Sequence, residues 1–291
     1  MAALRFPILF AATLAAAGAA VGQSAPRDPR GSDVVVTGTP DREQEIRDFV
    51  QALTPGPVTG LARFEESICP GVLGLSGPLK EAVLNRMRQV SEAAGLDVAG
   101  GDCRPNVLLM VTGDKRALIE ALAGRYPHFF DDQENSARRV ARQPGPASAW
   151  HAEIMVNAGG QGLPMRGGFY VNQTGLVGGR IKVPARSVLI AAAVVVERRA
   201  LEGLSAIQLA DYALMRALAR TEPDRLTAAS PPSILSVLEA PMGSEIPLTL
   251  TRWDLGFLRG LNASTPNLRT PQQRSEIRRR VAAELEGTAR N

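Results

Sequence analysis

Apolar residues spaced three or four positions apart recur along most of the chain, a pattern typical of amphipathic helices. Such helices are predicted over 45–53, 77–96, 114–127, 204–219, 251–261 and from 270 onward. Asp114 stands at the N-cap of the third, and Ser205 with Gln208 forms a capping box at the fourth. Thr251 and Thr270 stand at the N-caps of the last two. The sequence therefore predicts several helices with well-marked beginnings.

The strand pattern is different. NVLLMVT at 106–112 and SVLIAAAVVVE at 187–197 are continuous apolar runs, typical of strands that are covered on both faces. AWHAEIMV at 149–156 alternates as in a strand, and the glycine-rich stretch 157–179 predicts a long hairpin. Because strands and helices alternate, we predict an α+β (or α/β) fold: a single mixed-sheet domain with packed helices.

The first 22 residues have the three parts of a secretory signal peptide. Arg5 supplies the positive charge, an apolar core follows, and Ala20 with Gly22 forms a small-residue cleavage site. The core is shorter and richer in alanine than a membrane span, and an uncleaved anchor is the alternative. We therefore expect a periplasmic or secreted protein with no stable membrane span after cleavage of residues 1–22.

Residues 23–45 are rich in proline, glycine, serine and charge, which predicts a disordered tether before a single domain over 46–291. The apolar island DVVVTG lies in segment 33–40, which begins at Asp33 and ends at Pro40. It resembles the TonB box of outer-membrane receptors, an extended segment that pairs with an energy-coupling protein. The resemblance implies TonB-type coupling, and a short apolar strand within a linker is the alternative.

The chain has two cysteines, Cys69 and Cys103. In an exported chain such a pair is expected to form a disulfide, with two buried thiols as the alternative. A metal site is not expected there, because neither cysteine has a second ligand at close spacing.

The formal net charge is +4, and acids and bases are mixed along most of the chain. The chain has no basic block interleaved with aromatic residues, so we expect no nucleic-acid partner. The expected partner is an unidentified envelope protein or ligand.

The predicted helix LSAIQLADYALMRALA at 204–219 carries the candidate binding residues Asp211, Tyr212 and Arg216. All three leave its apolar stripe. An acid and a phenol in the middle of an apolar helix need polar partners elsewhere in the fold. We therefore expect these residues to be structural anchors, or a ligand-facing cluster if a groove lies beside the helix.

The order of strand, helix, loop and LTRWDLGFLRGLN resembles the zincin-like metallopeptidases of the matrixin type. In that family a strand leads to an H-E-x-x-H helix, a turn under the metal and a final L-T-x-x-D helix. Thr251 and Asp254 match the start of that final helix, whereas Asn262 stands where the family has tyrosine. The resemblance implies a zincin-like scaffold over about 187–262.

The chain departs from this family at the metal-binding positions. Ala210 and Leu214 occupy the places of the two histidines, and only Asp211 echoes the glutamate. Zinc hydrolysis needs three protein ligands around an open position, so we expect no metal, no cofactor and a pseudoenzyme scaffold. Residues 203–216 also resemble an uncharacterised family of secreted bacterial proteins with the pattern G-[LS]-S-x-x-Q-x-A-D-Y-A-x-[ML]-R.

The chain has two histidines, His128 and His151. His128 precedes the acidic stretch 131–134, which fits either a cation site or a solvated turn. His151 lies on one face of a predicted strand, and no G-x-S-x-G motif indicates a serine nucleophile for it.

These observations favour an exported, non-catalytic protein of the cell envelope that acts in binding or assembly. The alternative is a hydrolase of unfamiliar type that uses Asp211 with Tyr212 or His151. Convergence of these side chains in a cleft would favour the hydrolase. A packed Asp211 bonded to backbone amides would favour a structural role.

Overall fold

The computed structural model describes residues 41–56, 60–130, 136–172, 178–241 and 243–287. The predicted signal peptide, segment 33–40 and the acidic stretch 131–134 lie outside the described residues. The described residues form a single α+β domain, as predicted.

A mixed sheet of four strands lies at the centre of the domain. In spatial order its strands are β1 (Pro70–Leu73), β2 (Val107–Thr112), β6 (Ala185–Glu197) and β3 (Ala147–Asn157). The first three run parallel, and β3 pairs antiparallel with β6 at one edge. A separate hairpin consists of β4 (Met165–Arg166) and β5 (Phe169–Tyr170), within the predicted glycine-rich hairpin.

The helices are α1 (Arg42–Leu53), α2 (Gly77–Ala93), α3 (Lys115–Arg125), α4 (Ser136–Ala141), α5 (Ala206–Leu218), α6 (Arg252–Ala263) and α7 (Thr270–Glu286). The caps predicted at Asp114, Ser205 and Thr251 are confirmed. At α5 and α6 the third helical residue completes a capping box.

Two helix beginnings differ from the prediction. Asp41 caps α1 by accepting from the amide of Glu43, so the first turn uses residues assigned to the tether. At α7 the N-cap is Arg269, and Thr270 is the first helical residue. The Thr270 hydroxyl accepts instead from the amide of Gly60, 3.1 Å away, and thereby holds a distant segment rather than its own helix.

Helices cover both faces of the sheet, because its strands are apolar on both sides. Val194 and Val196 of β6 face the larger core cluster, which includes α1, α2, α5, α6 and α7. Ala193 and Val195 face a smaller cluster with Ile119 of α3 and the ring of Trp150. Full burial of one such valine contributes about 1.5–3 kcal/mol, so both layers stabilise the sheet.

Two close contacts complete the domain. Gly256 and Gly260 let α6 approach α7: a Cβ at Gly260 would lie 2.9 Å from the Cα of Ile277. The predicted disulfide between Cys69 and Cys103 is present, with its two Cα atoms 6.0 Å apart. No helix in the described ranges is both long enough and apolar enough to cross a membrane.

Candidate functional site

The structure places Asp211 in a buried polar contact that joins three parts of the fold. Its carboxylate accepts two hydrogen bonds from Arg86 of α2, at 2.6 and 2.9 Å. It also accepts from the Thr249 hydroxyl and the Leu250 amide, both at 2.7 Å. Asp211 is fully buried and is not one of the residues that line the cavities described below. Its bonds include a backbone amide, the arrangement named above as favouring a structural role.

Tyr212 and Arg216, one turn apart on α5, form a second polar contact. The Nη1 atom of Arg216 donates to the Tyr212 hydroxyl at 2.9 Å. Burial raises the pKa of Tyr212, so the phenol keeps its proton at neutral pH. The structure therefore brings Tyr212 and Arg216 together, while the neighbouring Asp211 bonds to a different part of the molecule.

Gln143, which the sequence analysis did not single out, is the second partner of Arg216. Its Oε1 atom accepts from the Nη2 atom of Arg216 at 3.1 Å. The same amide pairs with the backbone of Ala149 on β3, donating to the carbonyl at 2.7 Å and accepting from the amide at 2.8 Å. These bonds fix the amide in place, so Arg216 has a rigid neighbour on this side.

Arg216 lies in the wall of a cavity of about 640 Å³ between α4, β3 and the C-terminal end of α5, which we call the Arg216 cavity. The rings of Phe130 and Trp150 are stacked there, with centroids 4.9 Å apart. The acids that line the cavity, Glu222, Asp224 and Glu239, are exposed, whereas Arg216 is only 5% exposed. Positive charge therefore lies inside the cavity and negative charge at its rim.

The Arg216 guanidinium carries a buried charge that no carboxylate contacts directly in the described part of the chain. No described carboxylate lies within 4.0 Å of it, and its Nε atom has no hydrogen-bond partner among the described residues. Buried charges in proteins are normally paired, because loss of hydration costs free energy. An anion in the cavity that Arg216 lines would therefore be stabilised by this charge.

A second arginine, Arg186, lines a smaller cavity of about 340 Å³ and differs from Arg216 in its partners. Arg186 is 8% exposed, but Glu65 accepts two hydrogen bonds from its guanidinium, at 3.0 and 2.7 Å. The charge of Arg186 is thus already compensated within the protein. Of these two buried arginines, Arg216 is the one that no described carboxylate contacts directly.

His151 lies on β3 and also lines the Arg216 cavity. Its Nε2 atom is 3.0 Å from the carbonyl oxygen of Ala217, so Nε2 donates and Nδ1 carries the lone pair. Burial, and then the positive charge of Arg220, lower the pKa of His151 to about 3. The ring is therefore neutral at physiological pH and serves to cap the last turn of α5.

The lowered pKa of His151 should make the free energy of unfolding depend on pH. Between about pH 6.5 and pH 3 the unfolded chain protonates this ring and the folded chain does not, so acid lowers the free energy of unfolding. Between pH 7 and pH 4.5 the free energy of unfolding should fall in both proteins. We expect the fall to be about 2 kcal/mol smaller for His151→Gln, which keeps an N–H donor, than for the parent chain. Denaturant unfolding at both pH values measures the difference, and equal losses would contradict a neutral buried ring.

The positions at which the resembled peptidases carry histidines do not fit a metal. Ala210 and Leu214 are fully buried in the core and have no atoms that donate to a cation. The described residues contain no cluster of three His, Cys, Asp or Glu side chains that could hold a metal ion.

The residues of the Arg216 cavity define what it could bind. Its geometry is that of a recess with a fixed cationic group inside, apolar rings along one wall and carboxylates outside. Comparison with known proteins adds no assignment, because no family model, no curated protein and no solved structure matches the chain.

Proposed function

We propose that this chain is an exported protein of the bacterial cell envelope that binds an anionic ligand in the Arg216 cavity and does not catalyse a reaction. Export is supported by the signal-peptide pattern of residues 1–22 and by the disulfide between Cys69 and Cys103, which is typical of oxidising compartments. A periplasmic or secreted location follows from the same two features.

The observation that carries the proposal is the buried guanidinium of Arg216, which no described carboxylate contacts directly. A protein that kept such a charge only for stability would lose free energy by doing so, because an apolar residue of similar volume avoids the desolvation cost. An anion that enters the cavity would supply the missing counter-charge. Pairing with the ligand would then offset the desolvation free energy of the buried Arg216 charge, and this gain contributes to the binding free energy.

The chemical class of the ligand follows from the shape of the guanidinium. Arginine presents parallel N–H groups that match a carboxylate or a phosphate bidentately. Tyr212 and Gln143 each take one N–H of a different Nη atom and hold the plane of the group, so the second N–H of each Nη atom remains for a ligand. The volume of the cavity is within the range of small-molecule sites, and its stacked rings favour an anion attached to an apolar body.

The hydrolase alternative has less support. It needs Asp211 to act with Tyr212 or His151, but the Asp211 carboxylate is engaged by Arg86, Thr249 and a backbone amide. With its pKa lowered to about 3, His151 is also a weak base at neutral pH. Neither group is therefore placed or poised for general base catalysis.

Two resemblances remain proposals of the same kind. The order of β6, α5 and α6 along the chain supports a zincin-like scaffold without zincin chemistry. TonB-type coupling through segment 33–40 depends on the sequence alone. Both are consistent with binding or assembly in the envelope, and neither is required for the anion site.

The anion site is tested by replacing Arg216 with methionine, which has similar length and no charge. We expect binding of benzoate, or of inorganic phosphate, to the purified exported protein to weaken at least about 30-fold, as for loss of a buried charge-assisted pair. The free energy of unfolding should stay the same or increase, because a buried charge is removed. Isothermal titration calorimetry and denaturant unfolding give the two values.

A matched control is Arg116→Met, which removes an exposed arginine that pairs with Glu120 on the surface of α3. It should leave both the affinity and the stability unchanged. Equal affinity of the Arg216 variant and the parent chain for the probe anions would overturn the proposal. So would the absence of any anion binding at millimolar concentration.

A further inference from the structure

The hairpin of β4 and β5 exposes large apolar side chains on both of its faces. Met165 is 60% exposed, Phe169 is 77% exposed and Tyr170 is 48% exposed. Met165 lies opposite Tyr170 in the hairpin, and Arg166 lies opposite Phe169. Since residues on opposite faces are exposed, neither face of the hairpin is packed against the body of the domain. Single exposed apolar residues are ordinary, but three on one six-residue hairpin indicate an interaction site.

The turn of the hairpin is formed by Gly167 and Gly168, with φ angles of 58° and 82°. Two consecutive left-handed residues are typical of the tight two-residue turn that joins antiparallel strands. The backbone amide of Val171 donates to the carbonyl of Pro164 at 2.9 Å and closes the base of the hairpin. The exposed side chains are therefore presented by a defined turn.

The charged residues near this hairpin in the sequence have one sign. The sequence contains no Asp or Glu between Glu153 and Glu197, whereas Arg166, Arg180 and Lys182 fall within that interval and are exposed. The segment that carries Arg180 and Lys182 returns beside the base of the hairpin, where Asn172 donates to the carbonyl of Pro184 at 3.0 Å. Aromatic side chains and the positive charge of Arg166 thus occur together on the hairpin, with two further cations close by in the sequence. We call Met165, Arg166, Phe169, Tyr170, Arg180 and Lys182 the hairpin surface.

We propose that the hairpin surface docks this protein onto a membrane surface of anionic phospholipid. The positive charges fit lipid phosphates, and phenylalanine, methionine and tyrosine side chains enter the region between headgroups and acyl chains. A stable protein partner would normally bury about 800 Å² on each side, which a six-residue hairpin does not provide. Shallow insertion of two or three side chains into lipid needs no such area. The occupant that fits the small size and the charge is therefore a bilayer.

This inference is independent of the Arg216 cavity, since no residue of the hairpin surface lines that cavity. The two sites also differ in their dependence on salt. Attraction between exposed charges and lipid headgroups is screened over about 8 Å at physiological ionic strength, so membrane docking should weaken as salt is added. Docking of this kind is peripheral and reversible.

The test is sedimentation of the full chain with large unilamellar vesicles. Vesicles of phosphatidylcholine with about 30% phosphatidylglycerol should bind the protein, and pure phosphatidylcholine vesicles should bind it at least about tenfold more weakly. Phe169→Ser and Arg166→Gln should each reduce partition to the anionic vesicles about five- to tenfold. Both positions are exposed, so circular dichroism and the melting temperature should not change.

The matched control is Leu248→Ser, which removes a side chain that is 78% exposed on a loop outside the hairpin. It should bind the anionic vesicles as the parent chain does. Absence of binding to anionic vesicles would overturn the proposal, as would equal binding by Phe169→Ser and the parent chain. Concentration-dependent self-association that Phe169→Ser abolishes, without vesicle binding, would assign the surface to a second copy and also overturn it.

Discussion

Asp211→Asn is expected to lower the free energy of unfolding by about 3–4 kcal/mol, because it breaks a buried ion pair and leaves one partner behind. The substitution removes the negative charge that faces Arg86 and places an amide group among donors from Thr249 and Leu250. Since these bonds join α5 to α2 and to the segment before α6, their loss should weaken the whole domain. Denaturant unfolding at pH 7 measures the change.

Two further variants make this result specific. Asp48→Asn removes an exposed acid of α1, whose carboxylate accepts a hydrogen bond from Gln44, and should change stability by less than about 0.5 kcal/mol. The double variant Arg86→Met with Asp211→Asn also removes the arginine that Asp211→Asn leaves without its counter-charge and should recover part of the loss, while the asparagine oxygen still accepts from the Leu250 amide. Anion binding by the folded Asp211→Asn protein should be unchanged. Loss of binding at full stability would instead place Asp211 in the ligand site.

Removal of the disulfide is expected to have an effect of similar size. The bond joins residues 34 positions apart, and the chain-entropy model assigns about 3–4 kcal/mol to closing such a loop. The double variant Cys69→Ser with Cys103→Ser should therefore have a free energy of unfolding that is lower by that amount. Its denaturant midpoint should fall accordingly. The variant should still reach the native fold, because the backbone amides of Asn106 and Val107 donate to the carbonyl of residue 69 whether or not the disulfide is present.

Reductant provides the control for this prediction. It should lower the melting temperature of the parent chain to that of the double variant, and it should have no effect on the double variant itself. A melting temperature of the parent chain that does not change with reductant would show that the bond does not constrain the unfolded state.

Local signals in the sequence explain why much of the fold was predicted. The capping box of Ser205 and Gln208 lies within four residues, so short-range chemistry alone identifies the start of α5. The continuous apolar runs of β2 and β6 likewise report that both faces of these strands are covered. Thr270 was predicted as the N-cap of α7, but it is the first helical residue. A hydroxyl at a helix start can also accept from a distant amide, as Thr270 does from Gly60.

The candidate site could be predicted only in part, because its contacts are made over long distances along the chain. Tyr212 and Arg216 were singled out from their place on an apolar helix, but their contact with each other, between residues four apart on α5, was not predicted. Gln143 lies in a polar stretch without a pattern, and its role depends on pairing with the edge strand at Ala149. No sequence pattern shows that Arg86 lies against Asp211 while Arg216 has no such partner.

The contacts of α7 with the beginning of the domain also bear on the order of synthesis. The amides of Gly60 and Leu61 and the carbonyl of Thr54 bond to α7 residues that lie 210, 212 and 220 positions further along the chain. A nascent polypeptide cannot complete these bonds until residues 270–274 have left the ribosome, and closure of so long a loop is slow. Under the proposed export, such a delay would keep the chain unfolded while it passes through a translocation channel.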